Sequence, residues 1–198
     1  MKLYSNPASP FARKCRVIAH ELELKLELIL TRPFDDPDFR RVNPLGKIPA
    51  LLLDDGSVLI DSPVICEYLN HVGGGKFFPG MNIWKANNGR WKALGLQALG
   101  DGMADAAVAY IVEGRQTPVN ESQRARHRTA VIATLDMLER ATFAKDPTIG
   151  EVAIACALGY LDLRLPDLDW RGSRPKLANW YARFCDYPAM KVTAPAAP

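Results

Sequence analysis

Three short groups of residues in this chain have types and spacings that can do chemistry. Ser9 stands directly before Pro10 at the head of an apolar-periodic segment, so its hydroxyl lies where a helix begins and unpaired backbone N–H groups gather. Ile48-Pro49 opens the apolar run Ala50 to Leu53. An X-Pro bond at the entry to a strand is a candidate for the cis isomer of tight functional turns, which would direct the Ile48 N–H and C=O toward solvent. Asp61-Ser62-Pro63 ends a second short strand and starts another helix, with Ser62 expected at the N-cap and Pro63 at the first helical position. Free main-chain groups, a hydroxyl and the positive end of a helix suit a peptide ligand that carries a carboxylate. Each serine is also an ordinary cap. For Ser9 taken alone capping is the simpler account, and at Asp61-Ser62 the two roles are compatible because the same orphan N–H groups serve both.

The elements that must position these groups alternate in the first third of the chain and are helical after it. Lys2 to Ser5 reads as a strand, Pro10 to Leu22 as a helix with Ala12, Cys15, Ile18, Ala19 and Leu22 on one face, and Lys25 to Leu30 as a strand. Phe34 to Val42 reads as a short irregular helix. Asp54-Asp55-Gly56 is a hairpin signal between Ala50 to Leu53 and Ser57 to Ile60. Pro63 to Val72 is the third helix, stopped by Gly73-Gly74-Gly75. The order is βαβαββα. Beyond a linker containing Pro79 and Gly80, Trp84 to Glu113 reads as one long or kinked helix holding Gly95, Gly100 and Gly102, and Glu121 to Phe143 as an amphipathic helix with Val131, Leu135 and Leu138 on its stripe. Thr148 and Glu151 form a capping-box pattern ahead of Val152 to Leu163, a run apolar nearly all round and therefore central. Lys176 to Cys185 is a last helix before Pro188, and Ala194 to Pro198 a loose tail. The expected division is an α/β domain over 1–76, a linker over 77–83 and an all-helical domain over 84–198.

Composition removes several function classes. With 198 residues, 48% apolar and 24% charged, the chain is an ordinary globular protein, and its net charge of +3 is spread without a basic block, so no nucleic-acid surface is indicated. No export signal and no membrane-length apolar run is readable, and a cytoplasmic location is expected. Cys15, Cys66, Cys156 and Cys185 lie far apart in apolar helical patterns, which reads as small buried hydrophobes without a disulfide framework or a metal site. His20, His71 and His127 share no motif and read as surface residues, while Trp84, Trp91, Trp170 and Trp180 read as core or interface anchors. Arg13, Lys14 and Arg16 read as a solvated face of the first helix, with Arg13 kept as a candidate for steering an acidic substrate.

Ser9-Pro10-Phe11-Ala12-Arg13-Lys14, the loop Asn43-Pro44-Leu45-Gly46-Lys47-Ile48-Pro49, the pair Asp61-Ser62 and the capped helix from Thr148 to Leu163 together resemble a cytosolic glutathione S-transferase, most like the bacterial members with a serine near the first helix. The resemblance spans nearly the whole chain. It implies a thioredoxin-like N-terminal domain that holds glutathione, an all-helical C-terminal domain that offers a pocket to a hydrophobic electrophile, a homodimer, and no metal. Carried over by position, it implies that Ile48, next to Pro49, pairs its main chain with the cysteinyl part of glutathione like an added strand. Ser62 and its helix N-terminus would face the γ-glutamyl carboxylate, Asp61 its ammonium, and Lys47 the glycyl carboxylate, with Phe11 lining the same site. Ser9 matches the position of the catalytic hydroxyl. Arg13, Met103 and Ala106 are the expected electrophile-pocket residues, the last two on the Asp101 to Ala106 stretch that borders such a pocket in this fold.

The chemistry implied for Ser9 is modest. A free thiol titrates near about 8.5, so little of it is thiolate at neutral pH, and the thiolate is the nucleophile. A donated hydroxyl hydrogen bond and the positive end of the helix lower that value by roughly one to three units, each worth about tenfold in thiolate. Serine is a donor here and not a covalent nucleophile, since no His/Asp arrangement accompanies it. Redox relatives of this fold open the first helix with a cysteine motif; Ser9 to Ala12 has no thiol, so conjugation is expected over disulfide exchange. The rival from another class is the same fold kept as a protein-binding or regulatory module, and dehalogenation or isomerisation would use the same thiolate.

Overall fold

In a computed structural model of the chain, residues 1–33, 36–80 and 88–197 are described. β1 (Lys2–Ser5), α1 (Pro10–Glu21), β2 (Glu27–Leu30), α2 (Phe39–Val42), β3 (Ala50–Leu52), β4 (Val58–Leu59) and α3 (Ser62–Val72) follow in the expected βαβαββα order. The strands form one sheet in the order β2-β1-β3-β4. β1 and β2 are parallel, which requires a crossover, and α1 is that crossover. β3 runs antiparallel to both β1 and β4. Alternation along β1 sorts the two faces: Leu3 is buried in one cluster with Cys15 and Ile18 of α1 and Ile65 of α3, whereas the Tyr4 ring meets Phe39 of α2 at 5.3 Å. At the hairpin Gly56 adopts φ +86°, where a side chain would be strained, and Asp55 accepts from the Ser57 N–H at 2.9 Å.

Several boundaries fall inside the expected ones for local reasons. β2 starts at Glu27 because its partner Lys2 is where β1 starts. The helix expected from Phe34 is described only over Phe39–Val42. Pro37 disfavours helical backbone at Asp36, and residues 34 and 35 lie outside the described residues. The expected start at Trp84 and residues 81–83 of the linker also lie outside the described residues.

The remainder is helical: α4 (Asn88–Glu113), α5 (Glu121–Glu139), α6 (Ile149–Arg164), a short 3-10 turn Pro166–Leu168, α7 (Pro175–Phe184) and α8 (Pro188–Val192). α4 passes through its glycines without a break. A Cβ at Gly100 would lie 2.8 Å from backbone atoms of Ala153 and Ile154, so this glycine is where α4 lies directly on α6. Val131, Leu135 and Leu138 of α5 are buried, as the stripe predicts. α5 ends at Glu139, short of Phe143, which instead stacks on Trp180 of α7 with ring centroids 3.9 Å apart. α8 was not expected, because five residues between Pro188 and Thr193 are too few to show a period.

α6 is buried from Ile149 through Leu161 and is the axis of this half. Its capping box is fully made. The buried Glu151 carboxylate accepts from the Thr148 N–H at 3.0 Å, the Thr148 hydroxyl at 2.5 Å and the Ala144 N–H at 2.9 Å, and the Thr148 oxygen accepts from the Gly150 N–H at 3.2 Å. Glu151 therefore fixes the preceding loop as well as the helix. Glu151→Ala strands those donors and is expected to lower the unfolding free energy by about 3 kcal/mol in a urea titration. A loss below about 1 kcal/mol would show that the carboxylate does no more than an ordinary cap.

Candidate active site

Strand register brings the three chemistry-bearing groups to one end of the sheet. β1 ends at Ser5 just before Ser9, Tyr4 is opposite Ala50, and Leu51 is opposite Leu59. Pro49 and the Ile60-Asp61 pair therefore stand beside the turn that carries Ser9. α1 and α3 both open there, and the Cys15 thiol of α1 lies 3.9 Å from the Ser62 carbonyl oxygen of α3.

Ser9 is the N-cap of α1, half-buried, with Pro10 following it. Its hydroxyl oxygen accepts from the Ala12 N–H at 3.2 Å, and its carbonyl accepts from the Arg13 N–H at 3.0 Å. The cap occupies a lone pair and leaves the hydroxyl hydrogen to donate elsewhere. Phe11 beside it is half-buried against the core.

Among the described residues the cis peptide bonds are Ile48-Pro49, Ile60-Asp61 and Thr117-Pro118. The loop before Pro49 is shaped by the buried Asn43, which donates to the Lys47 carbonyl at 2.6 Å and accepts from the Leu45 N–H at 3.1 Å. The main-chain groups of Ile48 make no hydrogen bond among the described residues. Lys47 is exposed and Pro49 is buried.

The start of α3 differs by one residue from the expected one. Asp61 is the N-cap and Ser62 the first helical residue, because Asp61 has extended backbone and its carbonyl accepts the first bond, from the Ile65 N–H at 3.0 Å. Asp61 is exposed and makes no side-chain cap bond, while Ser62 is buried.

The basic residues of α1 overturn the expectation of a solvated face. Lys14 is 1% exposed and its ammonium contacts both Asp101 oxygens of α4 at 2.6 Å. Arg13 is 2% exposed, donates to the Met190 carbonyl of α8 at 3.1 Å, and leaves Nε and Nη1 without partners. Both are buried because α1 lies between the sheet side and the helical half, and single-helix periodicity does not register the second neighbour. Arg13 is therefore closed off from any pocket. Met103 is buried in the core and presents no surface to a ligand, while Ala106, one turn on, is half-buried. Trp91, expected as a core or interface anchor, is 65% exposed and so lies outside the core.

The α4 face near this end is acidic. Burial pushes the Asp105 carboxyl up, with Asp101 adding to the push, while Lys47 pulls it down and Asp61 pushes it further up. Asp105 and Asp101 thus sit close to the Lys47 and Asp61 groups, a tertiary neighbourhood for which the sequence offers only two carboxylates a helical turn apart. Burial also holds the thiols protonated: Cys156 is pushed up to about 11, and Cys15, 3.7 Å from the Cys66 sulfur, well above its ordinary value. No cluster of three or more His, Cys, Asp or Glu among the described residues is placed to hold a metal.

Two family models match the chain: "Glutathione S-transferase, N-terminal domain" over residues 8–72 and "Glutathione S-transferase, C-terminal domain" over residues 121–183. The chain belongs to the glutathione S-transferase family. It is 32% identical to the uncharacterized GST-like protein YibF of Escherichia coli K12, over 90% of this chain and 91% of YibF. A glutathione transferase family member from Pseudomonas fluorescens Pf-5, solved with bound glutathione, is 37% identical over 99% of both chains with a TM-score of 0.88. A structure of a family member from the same organism with bound S-(propanoic acid)-glutathione is 38% identical over 100% of both chains, with a TM-score of 0.83.

As a glutathione transferase, the chain has a thioredoxin-like N-terminal domain, the four-stranded sheet with α1 to α3, followed by an all-helical C-terminal domain. No helix among its described residues is long and apolar enough to cross a membrane. The Lys14–Asp101 pair joins the two domains of the transferase directly behind Ser9. Lys14→Met alone leaves Asp101 facing a buried surface and is expected to destabilise by about 3 kcal/mol, and adding Asp101→Leu is expected to restore most of it. Urea unfolding of the double-mutant cycle measures this, and a coupling below about 0.5 kcal/mol would mean that solvent already screens the pair.

Proposed function

We propose that this transferase binds glutathione at the sheet end shared by Ser9, Ile48-Pro49 and Asp61-Ser62, and adds its sulfur to an electrophile held against the helical domain. One observation carries the reading: Ser9 caps α1 through its oxygen lone pair, so its hydrogen is available to a sulfur seated over the helix N-terminus. The free N–H and C=O of Ile48 suit the cysteinyl main chain as an added strand. Ser62, with the first N–H groups of α3, receives the γ-glutamyl carboxylate. Asp61 accepts from the ammonium, and exposed Lys47 approaches the glycyl carboxylate. Phe11 lines the sulfur's surroundings. The bound glutathione and S-(propanoic acid)-glutathione of the relatives from Pseudomonas fluorescens support a tripeptide site open at its sulfur.

In the reaction, the thiol proton passes to solvent as the thiolate forms under the Ser9 hydrogen bond. The sulfur pair then makes the bond to the electrophilic carbon, and the displaced pair leaves with a leaving group or moves onto the adjacent carbon and takes up a proton. The domains that divide this work are taken as 1–76 and 84–198, joined by 77–83.

Ser9→Ala is expected to lower kcat/KM about 10- to 100-fold and to raise the bound thiol's pKa by roughly one to two units, the value of one hydrogen bond to an anion. The ultraviolet absorbance of the thiolate against pH reads the second effect; identical titration curves for variant and parent would remove Ser9 from the mechanism. Absence of heat on titrating millimolar glutathione into the parent would instead favour a binding module without this chemistry.

A homodimer is the assembly this reading takes. Val64 of α3 and Trp91 of α4 leave large apolar side chains in solvent beside the Glu67–Arg90 ion pair that joins the two helices at 2.6 Å. Trp91→Glu is expected to shift sedimentation from dimer toward monomer, and a parent that sediments as a monomer at assay concentration would rule out the assembly.

A further inference from the structure

The helices can be counted to the level of Ser9. α1 runs antiparallel to α6: Val17 and Glu21 meet Pro147 and Val152 around a small apolar cavity, whereas Arg13 lies against Gly159, whose missing side chain makes room for the guanidinium. Four residues back from Arg13 is Ser9, and four forward from Gly159 is Leu163, each step about 6 Å along its helix. α4 runs parallel to α6, with Gly150 against Ala93 and Leu96 and Gly100 against Ala153 and Ile154. That offset sets Ala106 to Tyr110 level with Tyr160 to Arg164, and both level with Ser9.

The polar side chains of these two stretches are Tyr110, Tyr160, Asp162 and Arg164. Tyr160 is 7% exposed, and its hydroxyl has no hydrogen-bond partner among the described residues. Arg164 lies one turn further on the same face of α6. Arg115 sits on the turn that closes α4, its N–H donating to the Val112 carbonyl at 3.1 Å. The register that sets Tyr110 level with Arg164 brings the turn holding Arg115 to the same end of α6. Burial raises the Tyr160 phenol, and the opposite pull of Arg164 and then Arg115 agrees with that placement. Arg124 lies over the Tyr110 ring at 4.4 Å.

Neither Arg164 nor Arg115 has a carboxylate partner among the described residues. Of the nearby acids, none pairs with either arginine among the described residues. Asp162 is held by Arg171 and by the Trp170 Nε1–H at 2.9 Å, Glu113 accepts from the Asn120 N–H at 3.0 Å, and Asp101 holds Lys14. Asp105 lies toward Lys47 and Asp61, and Asp167 forms no ion pair with either arginine. Two guanidinium groups and a phenol hydroxyl without partners among the described residues are a donor set suited to an anion, and guanidinium binds carboxylate in a planar fork.

We infer that the electrophile this transferase accepts carries its own carboxylate, held by Arg164 and Arg115 and by a hydrogen bond from Tyr160, while its electrophilic carbon faces the sulfur at Ser9. The inference rests on the proposed glutathione site and narrows the hydrophobic electrophile to an amphiphilic one. The rings of Tyr110 and Tyr160 and the half-buried Ala106 cover its carbon skeleton, and the arginines take the acid end.

A matched pair of acceptors tests it: 4-chloro-3-nitrobenzoate and 4-chloro-3-nitrobenzamide. In each, the thiolate sulfur forms the carbon–sulfur bond at the chlorine-bearing carbon, and chloride leaves with the bonding pair. The two conjugates, S-(4-carboxy-2-nitrophenyl)glutathione and its carboxamide, are titrated calorimetrically into the parent and into the Arg115→Met/Arg164→Met variant. The carboxylate conjugate is expected to bind the parent about tenfold or more tighter than the carboxamide, with the difference gone in the variant. After correction for uncatalysed rates, KM for the two acceptors should follow the same pattern. Equal affinities in the parent, or an advantage that survives in the variant, overturns the inference while leaving the glutathione site intact. Absence of heat from glutathione and from both conjugates sinks the underlying site and the inference with it. If the double variant lacks the parent's circular-dichroism melt, single Arg115→Gln and Arg164→Gln variants are read instead, each expected to lose about threefold of the carboxylate preference.

Discussion

The site depends on α1 being covered on two sides at once. On one flank its Cys15 meets Cys66 of α3 and the carbonyl of Ser62; on the other Lys14 is bound to Asp101 of α4, and Arg13 reaches the Met190 carbonyl of α8. A helix so placed cannot turn or slide without stranding a buried ammonium or guanidinium, which is among the costlier changes a protein interior can make. Ser9 caps the same helix, four residues before Arg13. Its position relative to both the tripeptide site and the helical domain is thus set by ion pairing and close packing further along the same helix. A tenth of a turn of slack in α1 would move the hydroxyl relative to any sulfur above it, and donor positions of this kind matter to within about 0.5 Å.

Two helix N-termini meeting at one end of a sheet make a field that favours negative charge, while the adjacent α4 face is acidic. The opposition is useful for a zwitterionic amino-acid end. The orphan N–H groups of α3 suit a carboxylate, and Asp61, with Asp101 and Asp105 nearby, suits an ammonium. A simple anion would meet both attraction and repulsion there. At the level of Tyr160 and Arg164, Asp162 is paired with Arg171, and Arg164 and Arg115 have no carboxylate partner among the described residues. On the proposed reading, one end of the site favours paired charge and the other favours negative charge.

What was legible in the sequence is what short-range geometry dictates. Serine before proline, Asp-Gly between apolar runs and the Thr148–Glu151 spacing each describe hydrogen bonds closed within a few residues, and the fold contains them where the pattern puts them. The one-residue shift at Asp61-Ser62 has the same origin, since both residues can cap and only the backbone angle at Asp61 decides. The misreadings arise differently. Arg13 and Lys14 read as a solvated face because α1 looks like a helix with one buried side, whereas it has neighbours on two; Met103, which the family resemblance places at a pocket, is buried in the core. No period along a single helix encodes a second packing partner. The side chains proposed to meet the electrophile were illegible for a related reason: Tyr110, Tyr160 and Arg164 come from two helices, and Arg115 from the turn after one of them, whose relative register is set by Gly100 and Gly150, and each glycine by itself reads only as a weak point in a helix.

Those glycines also fix the register that the rest of the helical domain inherits. Backbone contact at Gly100 and Gly150 locks α4 against α6, because a methyl group at either position would fall within 2.8 Å of main-chain atoms on the other helix. With the register locked, residues one to three turns further along, from Ala106 to Tyr110 and from Tyr160 to Arg164, are carried to the level of Ser9 whatever their side chains are. Substitution there changes size and charge in the cleft without repacking the axis of the domain, whereas substitution at Asp101 or Glu151 loosens the scaffold on which the whole cleft is built. The division between residues that hold the register and residues proposed to face the ligand therefore runs along single helices. In α4 it falls between Asp101 and Ala106, about one turn of helix.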